Sequence, residues 1–100
     1  MNLIEAILKK DIERIKELLA KGGNPNLCED DAGITPMHFV AQQNVLEAVP
    51  LFVQAGANLE AKTRGEGDTP LQIAQLHGHV QMVNLIAAYL TKTFGQGEQH

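Results

Sequence analysis

The residues of this chain best suited to metal or nucleophilic chemistry are four histidines and one cysteine. A zinc site needs Cys and His ligands in a cluster, but here only His77 and His79 lie close together, on either side of Gly78. That spacing is typical of a turn between two helices, so we interpret both as turn residues, with a metal site as the minor alternative. Cys28 has no accompanying His/Asp arrangement that would make it a nucleophile.

Two further motifs contain residue types that could bind phosphate or act as a base. The run Gly65-Glu66-Gly67 lacks both a following Lys-Ser/Thr pair and a strand-to-helix context, so it does not indicate a phosphate-binding loop. His38 follows a Thr-Pro pair, where a histidine is better placed to hydrogen-bond a helix start than to act as a base. The sequence therefore predicts a protein that is not an enzyme and that needs no metal and no cofactor.

An acidic run, Glu29-Asp30-Asp31, stands in a loop rich in Asn, Pro and Gly. One interpretation is a solvated loop, and the other is an acidic tip that steers a basic partner protein toward the chain. The corresponding later loop carries Lys62, Arg64 and Glu66, so its tip has mixed charge. The two loops are thus expected to present different chemistry.

Composition limits the class of protein. One hundred residues with 44% hydrophobic side chains are expected to form a single folded domain. A net charge of −4 argues against nucleic acid, which requires a face rich in Lys and Arg. A single cysteine, no signal-peptide pattern and no apolar stretch of membrane-spanning length favour a cytoplasmic location without membrane contact.

A repeated motif predicts where the helices that position these residues begin. Thr35-Pro36-Met37-His38 recurs as Thr69-Pro70-Leu71-Gln72, and the interval from the first threonine to the second defines the length of one repeat. Threonine is suited to cap a helix, proline to occupy its first position, and His or Gln to reach back toward the cap. A repeat of this length predicts a stack of similar helical units.

Periodicity and turn residues predict six helices, at residues 2–9, 12–21, 35–43, 45–55, 69–77 and 80–93. Gly22, Asn44 and Gly56 are expected to end helices, and Pro50 is expected to bend the fourth helix slightly. Paired in sequence, the helices form units at about 1–33, 34–67 and 68–94, followed by a flexible tail at 95–100. Each pair is too small to bury its own apolar face, so the three units are expected to stack and to fray from the ends.

These motifs carry a resemblance to the ankyrin repeat family. One unit matches at Gly33-Ile34-Thr35-Pro36-Met37-His38-Phe39-Val40-Ala41 and Leu51-Phe52-Val53-Gln54-Ala55-Gly56-Ala57. The next matches at Thr69-Pro70-Leu71-Gln72-Ile73-Ala74, at Gly78-His79 and at Met82-Val83-Asn84-Leu85-Ile86. A degenerate first unit matches at Ile15-Lys16-Glu17-Leu18-Leu19-Ala20-Lys21-Gly22. The chain departs from the family pattern in a repeat that is longer than usual by a single residue, and at Val40, Asn44 and Pro50. The resemblance implies an all-α solenoid of three helix-turn-helix units joined by hairpin-like loops.

The resemblance also implies where a partner would bind. In ankyrin-like stacks the concave face comprises the projecting loops and the outward residues of the first helix in each unit. Leu8 and Lys9 take those positions in the first unit. The predicted partner-binding residues are Glu29, Asp30, Asp31, Ala32, Ile34, Gln42, Gln43, Arg64, Glu66, Asp68, Leu76 and His77. The predicted function is non-catalytic protein–protein interaction, with a partner that carries a basic patch. Two alternatives stay open: an inhibitor or immunity-type protein that occludes a toxin or enzyme, and a self-associating structural unit.

The last predicted helix adds a second candidate surface. No charged residue occurs between Val80 and Leu90. Either Tyr89, Phe94 and the tail cover its apolar side, or residues 80–94 contact a partner or a second copy, with Ile86 as the position for a test. The chain is accordingly expected to be a monomer or a weak homodimer through residues 80–94.

Overall fold

The computed structural model describes residues 2–28 and 31–98, and the described residues form helices and turns without a strand. The six helices are α1 (Leu3–Leu8), α2 (Ile12–Ala20), α3 (Pro36–Gln43), α4 (Ala48–Gln54), α5 (Pro70–Leu76) and α6 (Val80–Glu98). The predicted all-α class is confirmed, and each predicted helix has its counterpart in the structure.

Side chains cap the helix starts as the sequence indicated. The Thr69 backbone N–H donates to Gln72 Oε1 at 2.9 Å, and the Gln72 N–H donates to Thr69 Oγ1 at 3.2 Å. Asn2 and Glu5 form the same reciprocal pair at the start of α1. These bonds satisfy backbone N–H groups that have no partner inside the helix. The start of α3 uses a histidine instead, as described below.

Left-handed residues end the helices. Gly22, Gly56 and Gly78 follow α2, α4 and α5 with φ between 70° and 93°. Asn44 takes the same role after α3, with φ 57° and ψ 43°. Its Oδ1 atom is buried without a hydrogen-bond partner. The end of α3 therefore carries both a strained backbone and an unpaired polar atom.

Two predicted boundaries are wrong. α4 begins at Ala48 rather than at residue 45, so Pro50 is its third residue. A proline in the first turn removes no bond internal to the helix, because those N–H groups lack helical partners in any case. α6 continues to Glu98, past the predicted end at residue 93. Glycine weakens a helix by only about 1 kcal/mol relative to alanine, so Gly95 and Gly97 do not stop it. Of the predicted tail, residues 95–98 are thus helical, and residues 99 and 100 lie outside the described part.

The helices stack in two layers. α1 packs on α3 and α3 on α5, while α2 packs on α4 behind them. Within the units, α2 packs on α1, α4 on α3 and α6 on α5. The shared core contains Ala6, Ile7, Ile15, Met37, Val40, Ala41, Val45, Ala48, Val49, Phe52, Ala74, Met82 and Ile86. Because every unit contributes to this core, no single pair of helices has to bury its apolar face alone.

Candidate functional site

Two loops and two helices form the surface that the sequence singled out. We call residues 24–34 the first finger and residues 57–68 the second finger, and we call the side of α3 and α5 next to them the inner face. The fingers are bonded to each other, since the Arg64 N–H donates to the Ala32 carbonyl at 2.8 Å. The second finger is also closed on itself, because the Thr63 N–H donates to the Asp68 carbonyl at 3.0 Å and the Asp68 N–H to Thr63 Oγ1 at 3.1 Å.

Gly33 allows the fingers to approach this closely. A Cβ atom at this position would lie 3.3 Å from Arg64 Cγ, from the Arg64 backbone nitrogen and from the Lys62 carbonyl oxygen. Its φ of 72° is also one that residues with a side chain rarely adopt. Gly67 has a similar φ of 69°, but a Cβ there would meet nothing within 4 Å. Glycine at position 33 therefore allows both the close contact between the fingers and the left-handed backbone of the turn.

His38 links the start of α3 to the base of the second finger. The Thr35 backbone N–H donates to His38 Nδ1 at 2.9 Å, so Nδ1 is the acceptor nitrogen of the ring. Nε2 then carries the hydrogen, and it donates to the Asp68 carbonyl at 2.8 Å. The side chain is only 3% exposed. The prediction that His38 hydrogen-bonds a helix start is confirmed, whereas its bond to Asp68, in the next unit, was not foreseen.

His79 makes the equivalent link at the other end of α3. Its Nε2 lies 3.0 Å from the Gln42 carbonyl oxygen, one of the helix-end carbonyls that lack a partner within the helix. The His77 and His79 rings stack, with centroids 5.8 Å apart and planes inclined by 14°. Both ends of α3 are therefore bonded to the third unit through histidine side chains.

Asn26 joins the first finger to the turn after α4. Its Nδ2 donates to the Gly56 carbonyl at 3.1 Å, and its Oδ1 accepts from the Asn58 N–H at 2.7 Å. The bases of both fingers are thus connected by side-chain bonds as well as by the backbone bond between Arg64 and Ala32.

The predicted partner-binding residues divide by location. Asp31, Arg64 and Glu66 are exposed on the fingers, while Ala32, Ile34 and Asp68 are half-buried there. Gln42, Leu76 and His77 are exposed and Gln43 is half-buried, all at or near the ends of α3 and α5. Leu8 and Lys9 are exposed at the end of α1. Glu29 and Asp30 lie outside the described residues.

A small hollow opens at the centre of the inner face. Its walls are mostly apolar, its volume is about 140 Å³, and it is lined by Ile34, His38, Phe39, Gln42, Thr63 and Ile73. Sequence reasoning missed Phe39, Thr63 and Ile73 as site residues. A signal was present for two of them, because Phe39 and Ile73 each directly follow one copy of the repeated motif, and both are large and apolar.

The other candidate surface is redefined by the structure. Ile86, the position chosen for a test of residues 80–94, is fully buried in the core and cannot contact a partner. Leu76 is 73% exposed and Val80 is 68% exposed, so among the side chains that the structure describes they are the large exposed apolar groups near this end. Successive residues of a helix point in different directions, and the lack of charged residues does not indicate which of them are exposed.

His38 and Cys28 lie apart from any cluster of metal-binding side chains in the described residues. No group of three or more His, Cys, Asp or Glu side chains able to hold a metal ion occurs among them. Both ring nitrogens of His38 are already hydrogen-bonded, and Cys28 is exposed on the first finger with only a long contact from Sγ to the Asn26 carbonyl. The helices in the described part of the chain also include none long and apolar enough to cross a membrane.

Comparison with known proteins agrees with this architecture. A family model described as ankyrin repeats (3 copies) matches residues 3–94. The 2-5A-dependent ribonuclease of Mus musculus is 38% identical over 73 residues, which are 73% of this chain and 10% of that protein. The potassium channel GORK of Arabidopsis thaliana is 34% identical over 84 residues, or 84% of this chain and 10% of the channel.

A third relative, the ankyrin repeat protein OPG189 of Monkeypox virus, is 38% identical over 61 residues, covering 61% of this chain and 10% of the viral protein. The chain thus spans about a tenth of the length of each of these relatives, and the similarity concerns their repeat regions. Together with the stacked helix pairs and the Thr-Pro helix starts, the match over residues 3–94 shows that this chain belongs to the ankyrin repeat family.

Proposed function

We propose that this chain is a non-catalytic module that binds another protein through its two fingers and its inner face. Ankyrin repeats are generally protein-interaction modules, and that coarse role comes with membership of the family. The observation that carries the finer proposal is the bonding of the fingers to each other and to α3. A surface that is already ordered loses little conformational entropy when a partner binds.

Charge supports a partner with a basic patch. Glu29, Asp30 and Asp31 give the first finger three acidic residues, while the second finger has both signs. A cluster of like charges raises the rate at which an oppositely charged protein is encountered, and it does so most at low salt. The single cysteine is consistent with such a partner in a reducing compartment such as the cytoplasm.

The relatives support recognition rather than catalysis. A ribonuclease and a potassium channel are proteins of unlike activity, yet each matches this chain over about a tenth of its length. A segment shared by such different proteins is better explained as a binding module than as the catalytic or conducting part.

Charge reversal on the first finger tests the proposal. A partner captured from the source cells is first purified, and its association with this chain is followed by surface plasmon resonance. Changing Glu29, Asp30 and Asp31 together to Lys should slow association by about tenfold or more at low salt, with a smaller effect as salt rises. Circular dichroism should show an unchanged helix content.

A matched control carries the same change in net charge away from the fingers. Glu13, Glu17 and Glu47 are exposed on or beside α2 and α4, and their change to Lys should leave the association rate much closer to that of the unaltered protein. Equal slowing by both triple variants would mean that only net charge matters. Binding that is indifferent to the finger variant would remove the acidic finger from the proposal.

A second, weaker association is proposed for the end of the stack. From Thr69 to Thr91 the chain contains no Asp, Glu, Lys or Arg, and Leu76 and Val80 are exposed within this stretch. Two copies can bring such faces together without like-charge repulsion, so we propose a weak homodimer there.

Light scattering over a range of concentrations checks this dimer. The average mass should rise with concentration in the unaltered protein, and Val80→Glu should abolish the rise because it places a charge on the face. Gln54→Glu adds the same charge at an exposed position on α4 and should have no effect. A mass that stays monomeric at all concentrations would exclude self-association.

A further inference from the structure

A second apolar pocket lies in the first unit, beside the base of the first finger. Its apolar walls are Leu3 and Ile4 of α1, Leu18 of α2, Leu27 of the first finger and Pro36 of α3. Its volume is about 220 Å³, and the described lining residues include no Asp, Glu, Lys or Arg. An apolar cavity of about 150 Å³ accepts benzene, so this pocket has room for one aromatic ring.

The second unit shows what the corresponding region contains when it is filled. Leu18 corresponds to Phe52, because the Gly23 N–H donates to the Leu18 carbonyl at 2.9 Å and the Ala57 N–H donates to the Phe52 carbonyl at 2.9 Å. The side chain of Phe52 is fully buried, whereas Leu18 is half-buried. The first unit therefore has a smaller side chain at the position where the second unit buries an aromatic ring.

Gly23 leaves further space in the first unit. Its counterpart Ala57 carries a methyl group, but a Cβ atom at position 23 would lie 2.7 Å from the Leu18 carbonyl oxygen and 3.6 Å from Leu3 Cδ1. The backbone of the first unit thus excludes a methyl group here. Two smaller residues in place of Phe52 and Ala57 account for an open pocket between α1 and α2.

Polar atoms at the edge of the pocket are bonded within the chain. Asn2 Oδ1 accepts from the Glu5 N–H at 2.9 Å, and Asn24 Oδ1 accepts from the Asn26 N–H at 2.9 Å. A ligand in the pocket therefore meets mainly apolar groups and no charged partner. Burial of an ionised group without a partner is costly, so this lining favours an uncharged ring over an anion or a cation.

The neighbours of the pocket favour a small molecule over a protein. Glu5 follows Ile4, Glu17 precedes Leu18, and both glutamates are exposed. The core of a protein interface is depleted of charged residues, and a stable interface covers far more area than one pocket. An occupant that ends at the mouth of the pocket avoids these charges.

We propose that this pocket binds a small uncharged aromatic molecule, consisting of one ring with a short alkyl substituent. The bound ring supplies to Leu3, Leu18 and Pro36 the packing that the Phe52 ring supplies in the second unit. The pocket shares no lining residue with the hollow on the inner face, so the inference is independent of the proposed function.

Toluene is the probe for this site, and benzoate, in which a carboxylate replaces the methyl group, is its matched control. Binding is followed by NMR of isotope-labelled leucine and isoleucine methyl groups, because an aromatic ring shifts the signals of methyl groups that it contacts. Ile4 and Leu18 report on the pocket. Ile73 of α5 and Ile86 of α6 lie in the third unit and serve as internal controls.

Toluene should shift the Ile4 and Leu18 signals saturably, with a Kd of about 1 mM or lower, and should leave those of Ile73 and Ile86 in place. Benzoate should bind about tenfold more weakly or not at all, because its carboxylate loses water without gaining a partner. Saturating toluene should also raise the urea midpoint of unfolding, since it binds the folded chain.

Three variants test the position of the ring. Leu18→Phe gives the first unit the aromatic side chain of the second and should abolish the toluene shifts. Leu27→Trp enlarges a side chain that is 48% exposed at the mouth of the pocket and should weaken toluene binding. Leu76→Phe makes the leucine-to-phenylalanine change at an exposed position of α5 and should leave toluene binding unchanged. The same spectra report whether each variant is folded.

Several results would overturn the inference. These are shifts that grow with toluene concentration without saturation, equal binding of toluene and benzoate, and undiminished binding in folded Leu18→Phe. If Leu18→Phe does not fold, undiminished binding in Leu27→Trp has the same meaning. A nuclear Overhauser contact between the methyl groups of Met1 and Leu18 without toluene would also overturn it, because Met1, outside the described residues, would then occupy the pocket.

Discussion

At the scale of single residues, His38 and Gln72 show how one sequence motif can do two tasks. Both are the fourth residue of a Thr-Pro motif, and both accept a hydrogen bond from the backbone N–H of the capping threonine at 2.9 Å. Gln72 is exposed, and its side chain bonds only to the capping threonine of its own helix among the described residues. His38 is buried, and its second ring nitrogen reaches the Asp68 carbonyl in the next unit. The imidazole therefore caps a helix and joins two units at once.

The variant His38→Gln separates these two tasks. Glutamine can keep the capping bond, as Gln72 does, but it cannot also reach the Asp68 carbonyl. We expect the free energy of unfolding in urea to fall by about 0.5–1.5 kcal/mol, since the Asp68 carbonyl loses the bond from His38 and keeps the one from the Thr63 N–H. Gln72→Ala, which removes an exposed cap partner only, should cost about 0.5–1 kcal/mol. Unchanged stability in His38→Gln would show that the link between units contributes nothing to stability.

At the scale of helices, the sequence was most informative where a local rule decides the outcome. Thr35 and Thr69 marked two helix starts correctly, because capping depends on residues within one turn of the chain. The start of α4 was placed three residues too early, since apolar residues such as Val45 and Leu46 fit a helix pattern equally well in a turn that packs on the core. The spacing of apolar residues indicates that a side chain is buried, but it does not indicate whether that residue belongs to a helix or to a turn.

The end of α3 offers a stabilising substitution. Asn44 combines a left-handed backbone with a buried Oδ1 atom that has no partner. Asn44→Gly removes the unpaired atom and suits the backbone, and these gains should exceed the extra entropy of glycine in the unfolded chain. We expect the free energy of unfolding to rise by about 1 kcal/mol, measured as a higher urea midpoint without a change in the slope of the transition.

Lys10→Gly is the control for backbone conformation alone. Lys10 has a similar φ of 55° but is exposed, so its replacement relieves the backbone without removing a buried polar atom. Its stabilisation should be clearly smaller than that of Asn44→Gly. A loss of stability in Asn44→Gly would indicate that the asparagine side chain makes a favourable contact in this packing.

At the scale of the whole molecule, the fold was predictable and the centre of the candidate site was not. The repeat that runs from Thr35 to Thr69 fixes the number of units and their order, because each unit can bury its apolar face only against the next. The hollow depends on how closely neighbouring units approach, which is set by Gly33 beside Arg64 and by His38 beside Asp68. Those contacts join residues of different units, and one sequence gives no distance between such residues.

The stacked architecture also predicts an order of stability along the chain. The middle unit is packed on both sides, since α3 lies between α1 and α5, whereas the first and third units are each covered on one side. Native-state hydrogen exchange followed by NMR should therefore show the slowest amides in α3, around Val40 and Ala41, with faster exchange in α1, α2 and the second half of α6. His38→Gln should accelerate exchange in α5 and α6 more than in α1 and α2, because it breaks a bond to the third unit. Equal protection in all six helices, changed equally by this substitution, would instead mean that the three units open only together, as one cooperative domain.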